Sequence, residues 1–153
     1  MKFEQLLQER GIGYEKHKHR LTYTAQRLAA EEHVSGYNVA KPVVVKGGGG
    51  FAMCVLPACA HLDLERVAGL LRSDEVRLAT ETEMADLFPD CELGAEPPVG
   101  SLFGMTTIMD ERLRGDEHIT MQAGSHTEAV KMRREDWERL CDPLVAPIAM
   151  SGE

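Results

Sequence analysis

The sequence predicts helices packed on a mixed β-sheet, in an α+β (mixed α/β) architecture. Segments with the 3.6-residue period of helices alternate with short segments rich in β-branched residues. One of these, residues 39–46, leads into four glycines and is followed by the apolar segment 51–57, so the pair predicts an antiparallel hairpin. The chain of 153 residues has no repeat, low-complexity segment or linker, which favours a single domain over residues 1–153.

The N-terminal part is predicted to contain two helices with a short strand between them. Apolar residues recur at helical spacing over residues 2–10, and Gly11 then stops the pattern. Residues 12–16 are predicted as a strand. Thr24 is a suitable N-cap for the second helix, which is predicted to run through Glu32.

Two more helices are predicted after the hairpin. Asp63 can cap a helix whose apolar stripe lies within residues 64–71. A short strand is predicted over residues 75–79. Thr80 and Glu83 have the spacing of a capping box, which predicts that a further helix begins there.

The C-terminal part is predicted to contain three strands and a last helix. The strands are expected over residues 105–109, 117–122 and 127–132, and the helix over residues 134–141. Trp137 and Leu140 are spaced to share the core-facing side of this helix. The proline-containing segment from about residue 142 onward is expected to be loosely attached.

Charge and hydropathy restrict the partners and the location of the chain. The formal net charge is −8, which leaves little basic surface for a long stretch of nucleic acid, so no DNA partner is expected. Contact with one end of a nucleic acid would need only a local basic cluster. No apolar run reaches membrane-spanning length and the N-terminus lacks a secretory apolar segment, so a cytoplasmic protein without a membrane partner is expected.

The cysteines and histidines lack the spacing of a metal or redox site. The cysteines form no CxxC pair, which favours reduced and mostly packed thiols. No histidine pair outside the segment 17–19 has a metal-binding spacing, and no serine lies in a GxSxG motif. We therefore expect no metal, no cofactor and no serine-hydrolase chemistry.

Lys41, near the start of the predicted strand 39–46, is the first candidate functional residue. Because lysine is almost never fully buried without a partner, Lys41 is either a solvated strand end or a charge placed for function. Lys46, at the other end of the strand beside the glycines, is expected to be solvated.

A stiff loop over residues 93–101 is the second candidate. Its two prolines fix φ and remove N–H donors, while its glycines allow unusual dihedrals and close backbone approach. Such a loop is either a tight connection or a frame that presents backbone groups to a ligand, including donors for a developing oxyanion. The candidate substrate-binding residues in it are Gly94, Ala95, Glu96, Pro97, Pro98 and Gly100.

Two further clusters complete the candidates. Gly124, Ser125 and His126 separate two predicted strands; the first two are candidate substrate-binding residues, and His126 is either a hydrogen-bonded packing residue or a catalytic group. The densest basic cluster is either a solvated loop or a phosphate-contacting edge. Its members are His17, Lys18, His19 and Arg20.

Taken in order and spacing, these segments resemble the family of YbaK and the editing domains associated with prolyl-tRNA synthetase, the aminoacyl-tRNA deacylases. The resemblance extends from about Phe3 to Leu140. The segments that carry it are Val39-Ala40-Lys41-Pro42-Val43-Val44-Val45, Val55-Leu56-Pro57-Ala58, Gly94-Ala95-Glu96-Pro97-Pro98-Val99-Gly100 and Ala123-Gly124-Ser125-His126-Thr127-Glu128.

The resemblance implies a curved mixed β-sheet surrounded by helices, and hydrolysis, in trans, of the ester that joins a wrong amino acid to the terminal ribose of a tRNA. It implies Lys41 as the residue that positions the substrate and the Gly94–Gly100 loop as the element that holds the aminoacyl group. The implied partner is the acceptor end of a mischarged tRNA, with an aminoacyl-tRNA synthetase as a second candidate. Pro42 departs from the family, whose members commonly carry threonine or asparagine there; because proline cannot donate to a ladder, it predicts an edge or a bulge.

Two other functions are compatible with the residues. One is a non-catalytic module that uses the same pocket to bind an amino acid, a peptide or a partner protein; the acidic net charge and Pro42 motivate it. The other is general hydrolysis of small activated esters. Loss of the ester from mischarged tRNAs would indicate editing. Saturable binding of a ligand without turnover would indicate the binding module, and hydrolysis of esters that lack a nucleotide would indicate general ester hydrolysis.

Overall fold

A computed structural model describes residues 2–150 and contains five α-helices and eight β-strands within that range. In chain order the elements are α1 (Lys2–Glu9), β1 (Tyr14–Lys18), α2 (Ala25–Glu31), β2 (Ala40–Gly47), β3 (Gly50–Pro57), α3 (Leu64–Leu71), β4 (Arg77–Leu78), α4 (Glu81–Leu87), β5 (Thr106–Asp110), β6 (His118–Gln122), β7 (Glu128–Arg133), α5 (Arg134–Cys141) and β8 (Leu144–Ala146). Short 3₁₀ turns cover Gly36–Asn38, Gly100–Phe103 and Glu111–Gly115. None of the helices in the described range is long and apolar enough to cross a membrane.

The strands form two sheets that meet at one point. The larger sheet is mixed, with the order β4-β2-β3-β5-β8, and the smaller one is antiparallel, with the order β1-β7-β6. A parallel bridge between Val39 and Thr120 joins them. The predicted α+β class is confirmed, and the single sheet that was expected is divided in two.

The predicted hairpin is formed by β2 and β3. The strands pair in register from Ala40 opposite Pro57 to Gly47 opposite Gly50, around a two-residue turn. Counted from this turn, Pro42 lies at a position whose N–H would point away from β3, so its missing donor removes no bond to that strand. Because β4 pairs with β2 only at Val45 and Lys46, β2 is an edge at Pro42, as predicted.

The predicted helix caps are confirmed. The Thr24 hydroxyl accepts a hydrogen bond from the N–H of Arg27, and the Asp63 carboxylate accepts from the first turn of α3. Thr80 and Glu83 form both bonds of a capping box at the start of α4. These polar contacts satisfy N–H groups that have no partner within the helix, which is why the helix starts are predictable from the local sequence.

The main core is formed where α1 and α5 pack against the sheets. Phe3 and Leu7 of α1 are buried there together with Trp137 of α5, and Leu140 lies beside them, as its spacing predicts. The indole N–H of Trp137 donates to the carbonyl of Pro98 at 3.0 Å. Through this hydrogen bond, α5 holds the candidate loop at residues 93–101 in place.

The expectation of a loosely attached segment from residue 142 is wrong for residues 142–150. β8 pairs in parallel with β5, and Ile148 is fully buried. One carboxylate oxygen of Asp110 accepts the N–H groups of Ile148 and Ala149, at 3.0 and 3.3 Å. A buried carboxylate that binds two backbone donors fixes this segment to the edge of the larger sheet. Residues 151–153 lie outside the described range.

Candidate functional site

The loop at residues 94–100 and the segment 124–126 are joined directly. The N–H of Gly124 donates to the carbonyl of Ala95, and the carbonyl of Gly124 accepts from the N–H of Glu92, both at 2.8 Å. Gly124 has a φ of 102°, which favours glycine. The stiff loop and the segment Gly124–His126 are therefore in direct contact, as two of the three candidate features.

His126 connects this loop to the segment that precedes α2. The side chain is 5% exposed, with Nδ1 2.8 Å from the carbonyl oxygen of Thr22 and Nε2 2.7 Å from that of Leu93. Carbonyl oxygens only accept, so the ring donates to one of them when neutral and to both when doubly protonated. Both ring nitrogens are thus directed at the backbone, and this arrangement favours a positioning role over the predicted catalytic one.

The loop has an exposed beginning and a buried end. Gly94 is exposed, with a φ of 87°, and its N–H donates to the carboxylate of Glu96, which is only 3% exposed. Farther along, a Cβ on Gly100 would lie 2.5 Å from the Thr107 hydroxyl oxygen, so only glycine fits there. Together with the Pro98–Trp137 contact, this close approach holds the second half of the loop against the core.

The N–H groups of the loop are largely committed within the protein. Pro97 and Pro98 have none, and four donors have internal acceptors, namely Gly94 to Glu96, Ala95 to Glu92, Val99 to Pro97 and Gly100 to Thr107. The N–H of Glu96 has no acceptor among residues 2–150. Within the loop, the Glu96 N–H is therefore the donor left for the expected oxyanion role, among the residues that the structure describes. In contrast, the carbonyl groups of Gly94 and Glu96 accept no hydrogen bond from any residue in the range 2–150. With the buried Glu96 carboxylate, they suit a ligand's ammonium group.

The ammonium of Lys41 is held by the turn that follows β3. Nζ lies 2.6 Å from the carbonyl oxygen of Ala60 and 3.4 Å from that of Ala58, and the side chain is half-buried. The side-chain amide of Gln26, on the first turn of α2, is also 3.4 Å from the Ala58 carbonyl. Lys41 is therefore held by backbone carbonyls and is not a fully solvated strand end, while the alternative of a charge placed for function stays a prediction.

The start of α2 links Lys41 to the His126 cluster. Gln26 reaches the carbonyl that Lys41 also contacts, while Thr22 bonds to His126 and the Tyr23 ring packs 5.0 Å from the imidazole centroid. Sequence reasoning missed these three residues. An exposed aromatic residue beside a helix cap is a weak signal for Tyr23, and nothing local distinguishes Thr22 or Gln26.

The basic cluster is partly neutralised by acidic neighbours. The Glu32 carboxylate lies 2.6 Å from Nδ1 of His17 and raises the pKa of this histidine. His19 directs its Nδ1 to the carbonyl of Arg20. The side chains of Lys18 and Arg20 are exposed and form no ion pair with the residues that the structure describes. They are the two members of the cluster that suit a phosphate contact.

The remaining candidate, Ser125, is half-exposed, and its hydroxyl lies 3.3 Å from that of Thr127. Over residues 2–150, no group of three or more His, Cys, Asp or Glu side chains is arranged to hold a metal ion.

A family model described as the aminoacyl-tRNA editing domain matches residues 19–140. The chain belongs to this family. The matched range includes Lys41, the loop at residues 94–100 and the segment 124–126. No curated protein matches the sequence at a significant level.

Solved structures share the fold at low sequence identity. A protein provisionally described as a trans-editing enzyme for prolyl tRNA synthetase is 22% identical over 98% of this chain and 96% of its own, with a TM-score of 0.85. A hypothetical protein is 21% identical over 98% and 100%, with a TM-score of 0.89. A protein from Marinobacter aquaeolei VT8, provisionally assigned to signal transduction, is 19% identical over 97% of this chain but only 30% of its own, with a TM-score of 0.77. The editing-domain fold therefore also occurs within longer chains.

Proposed function

We propose that this protein is a trans-editing hydrolase that removes a wrongly attached amino acid from the 3′-terminal ribose of a tRNA. The observation that carries the proposal is the editing-domain match over residues 19–140, which includes Lys41 and both glycine-containing segments. The geometry adds support, because these segments are connected through His126 and the start of α2.

In the proposed reaction, water adds to the ester carbonyl carbon, the bond to the ribose oxygen breaks, and that oxygen leaves as a hydroxyl. The ester is already activated, so the protein mainly has to position it and stabilise developing negative charge. The neighbouring ribose hydroxyl is proposed to help activate the water. The free amino acid and the uncharged tRNA are the products.

Lys41 is proposed to supply positive charge to the substrate. The carbonyl groups of Ala58 and Ala60 orient its ammonium before the substrate arrives. A phosphate or carbonyl oxygen of the substrate then replaces one of these contacts, and the stronger charge-assisted hydrogen bond favours that exchange. In this role Lys41 acts as a donor and needs no proton transfer.

The loop is proposed to hold the aminoacyl group through its ammonium. The carbonyl oxygens of Gly94 and Glu96 and the buried Glu96 carboxylate supply the acceptors. His126 keeps the beginning of the loop in place by bonding to the Leu93 carbonyl. Outside the pocket, the exposed side chains of Lys18 and Arg20 are proposed to contact phosphates of the acceptor end.

A panel of mischarged tRNAs, incubated with the wild-type protein and with Lys41→Ala, tests the proposal by following loss of the ester bond. We expect turnover of at least one mischarged pair and its loss in Lys41→Ala. Lys46→Ala, at the other end of β2, is the matched control and should retain activity. Absence of turnover on every pair, or undiminished activity in Lys41→Ala, would contradict the proposal.

The second candidate is a binding module without turnover, and the partial neutralisation of the basic cluster by Glu32 favours it. Calorimetry with amino acids, peptides and a synthetase separates it from the first. Saturable binding combined with stable esters would establish the module, whereas ester loss would exclude it.

A further inference from the structure

A second cleft, which has only Pro97 in common with the candidate site, lies between α1, the end of α4 and the turn at Gly100–Phe103. We call it the α1–α4 cleft. Its volume is about 630 Å³, and its apolar surface is formed by Phe3, Leu87, Leu102 and Phe103, with Pro97 from the buried side of the loop. Neither Lys41 nor His126 lines it. A volume of this size is typical of sites for small molecules.

The charge of the α1–α4 cleft is negative and locally uncompensated. Asp86 and Asp90 are exposed beside the apolar surface, and among the side chains that the structure describes (residues 3–150) no lysine, arginine or histidine lines the cleft. Among the described side chains of residues 3–150, neither carboxylate has a hydrogen-bond or ion-pair partner. Burial, together with the charges of Glu96 and Asp90, raises the pKa of the Cys91 thiol to about 11, so this group stays protonated and adds no charge.

We propose that the α1–α4 cleft binds a small molecule with an apolar body and one ammonium group but no carboxylate. The apolar body removes hydrophobic surface of the cleft from water, and the ammonium lies near Asp86 and Asp90. A free amino acid fits less well, because its carboxylate would be repelled by the same two side chains. Amines and the esters or amides of apolar amino acids have the required chemistry.

Titration of the full-length, ¹⁵N-labelled protein with two probes tests this proposal. 2-Phenylethylamine and 3-phenylpropionate share a ring and a two-carbon chain but carry opposite charges. We expect the amine to saturate with half-saturation at or below about 1 mM. It should shift the amide signals of Gln5, Cys91, Leu102 and Phe103, while the carboxylate binds at least about tenfold more weakly.

A double variant, Asp86→Asn with Asp90→Asn, tests the origin of the preference. Both side chains are exposed and without partners in the described range, so the fold should be retained. The preference for the amine should fall to about twofold or less. The matched control, Asp74→Asn with Glu75→Gln, removes two exposed charges outside the α1–α4 cleft and should leave the preference unchanged, as should Lys41→Ala.

Three results would overturn the proposal. They are equal affinity for the two probes, signal shifts centred on His126 or Lys41 instead of the cleft, and an unchanged preference in the Asp86→Asn, Asp90→Asn variant. A failure of ester hydrolysis would leave it intact, because the cleft and its charges do not depend on the proposed activity.

Discussion

The ammonium nitrogen of Lys41 lies 2.6 Å from the carbonyl oxygen of Ala60, across the turn that follows β3. Lys41 is on β2, opposite Leu56, so both ends of this contact belong to the β2–β3 hairpin or the turn directly after it. The two strands of the hairpin pair without interruption from Ala40 to Gly47, so the backbone of Lys41 is held in a fixed position. The charge is therefore oriented by the protein before any substrate binds.

Replacing Lys41 by methionine should lower deacylation by about 10²–10³-fold, because it removes a preorganised donor while keeping an apolar stem. The free energy of unfolding should change by about 1 kcal/mol or less, since the side chain is only half-buried. Single-turnover ester hydrolysis and urea unfolding measure the two effects. Lys46→Met, whose native ammonium lies 3.8 Å from Glu83, is the control that should retain activity. Equal activity in both variants would exclude a functional role for Lys41.

Gly94→Ala and Gly104→Ala form a matched pair. Both glycines have positive φ, 87° and 72°, so each substitution should cost about 1 kcal/mol of stability. Neither substitution causes a clash, because a Cβ on Gly94 would be in ordinary van der Waals contact with Cε1 of His126, at 3.5 Å, and nothing lies within 4 Å of one on Gly104. Gly94 belongs to the loop whose carbonyl groups are proposed to bind the substrate ammonium, whereas Gly104 does not, so only Gly94→Ala should lower deacylation, by about tenfold. Parallel losses of activity in the two variants would show that stability alone is being measured.

His126→Phe should distinguish a positioning role from a catalytic one. The ring is kept, but the carbonyls of Thr22 and Leu93 lose their donor, so stability should fall by about 1–3 kcal/mol. Hydrogen exchange at residues 92–95 should speed up at the same time. His118→Phe, at an exposed position on β6, should change neither property. A loss of kcat with unchanged stability and exchange would instead assign His126 a catalytic role.

The starts of helices could be predicted where a capping side chain lies nearby in the sequence. The bounds of strands could not be predicted where they depend on pairing with a strand far away in the sequence. Thr24 and the Thr80–Glu83 pair identify helix starts because capping groups lie within three residues of each other. β1 begins at Tyr14 and not at residue 12, because its extent is set by pairing with β7 near the other end of the chain. The three-residue β8 has no pattern of its own and exists because β5 and Asp110 bind it.

The same distinction applies to the candidate site. The residue types of Lys41 and of the loop were sufficient to select them, because a lysine on a buried strand and paired prolines between glycines are unusual. The bonding partners were not predictable, since the carbonyls of Ala60 and Leu93 belong to residues whose side chains carry no signal. The contacts of His126 with the carbonyls of Thr22 and Leu93 favour a positioning role, and the choice between the two sequence-based alternatives stays a prediction that His126→Phe tests.

Asp110→Ala should detach the C-terminal segment from the larger sheet. The side chain is 1% exposed and accepts the N–H groups of Ile148 and Ala149, so its removal should cost about 3 kcal/mol. Limited proteolysis should then cut after residue 142 while the rest of the domain remains resistant. Asp74→Ala, at an exposed position outside this segment, is the control and should stay intact. Resistance of Asp110→Ala to cleavage would show that β8 pairing alone holds the segment.

Asp116→Asn should stabilise the protein at neutral pH and leave it unchanged in acid. Burial raises the pKa of Asp116 from 3.8 to about 6, although Arg134 acts in the opposite direction, and one carboxylate oxygen is buried without a partner within residues 2–150. Because the folded-state pKa is above the unfolded one, the contribution of Asp116 to the free energy of unfolding is greatest below about pH 4. It falls as the pH rises from about 4 to about 6 and stays at that lower level above it.

A shift of this size corresponds to at most about 3 kcal/mol, and partial exposure of Asp116 reduces the expected gain in the asparagine variant to about 1 kcal/mol at pH 7.5. Urea unfolding at pH 4 and pH 7.5 measures the difference. The adjacent exposed residue supplies the control, since Glu117→Gln removes the same charge and should have little effect at either pH. A gain of equal size at both pH values would mean that side-chain packing, and not the buried charge, accounts for the effect of Asp116→Asn.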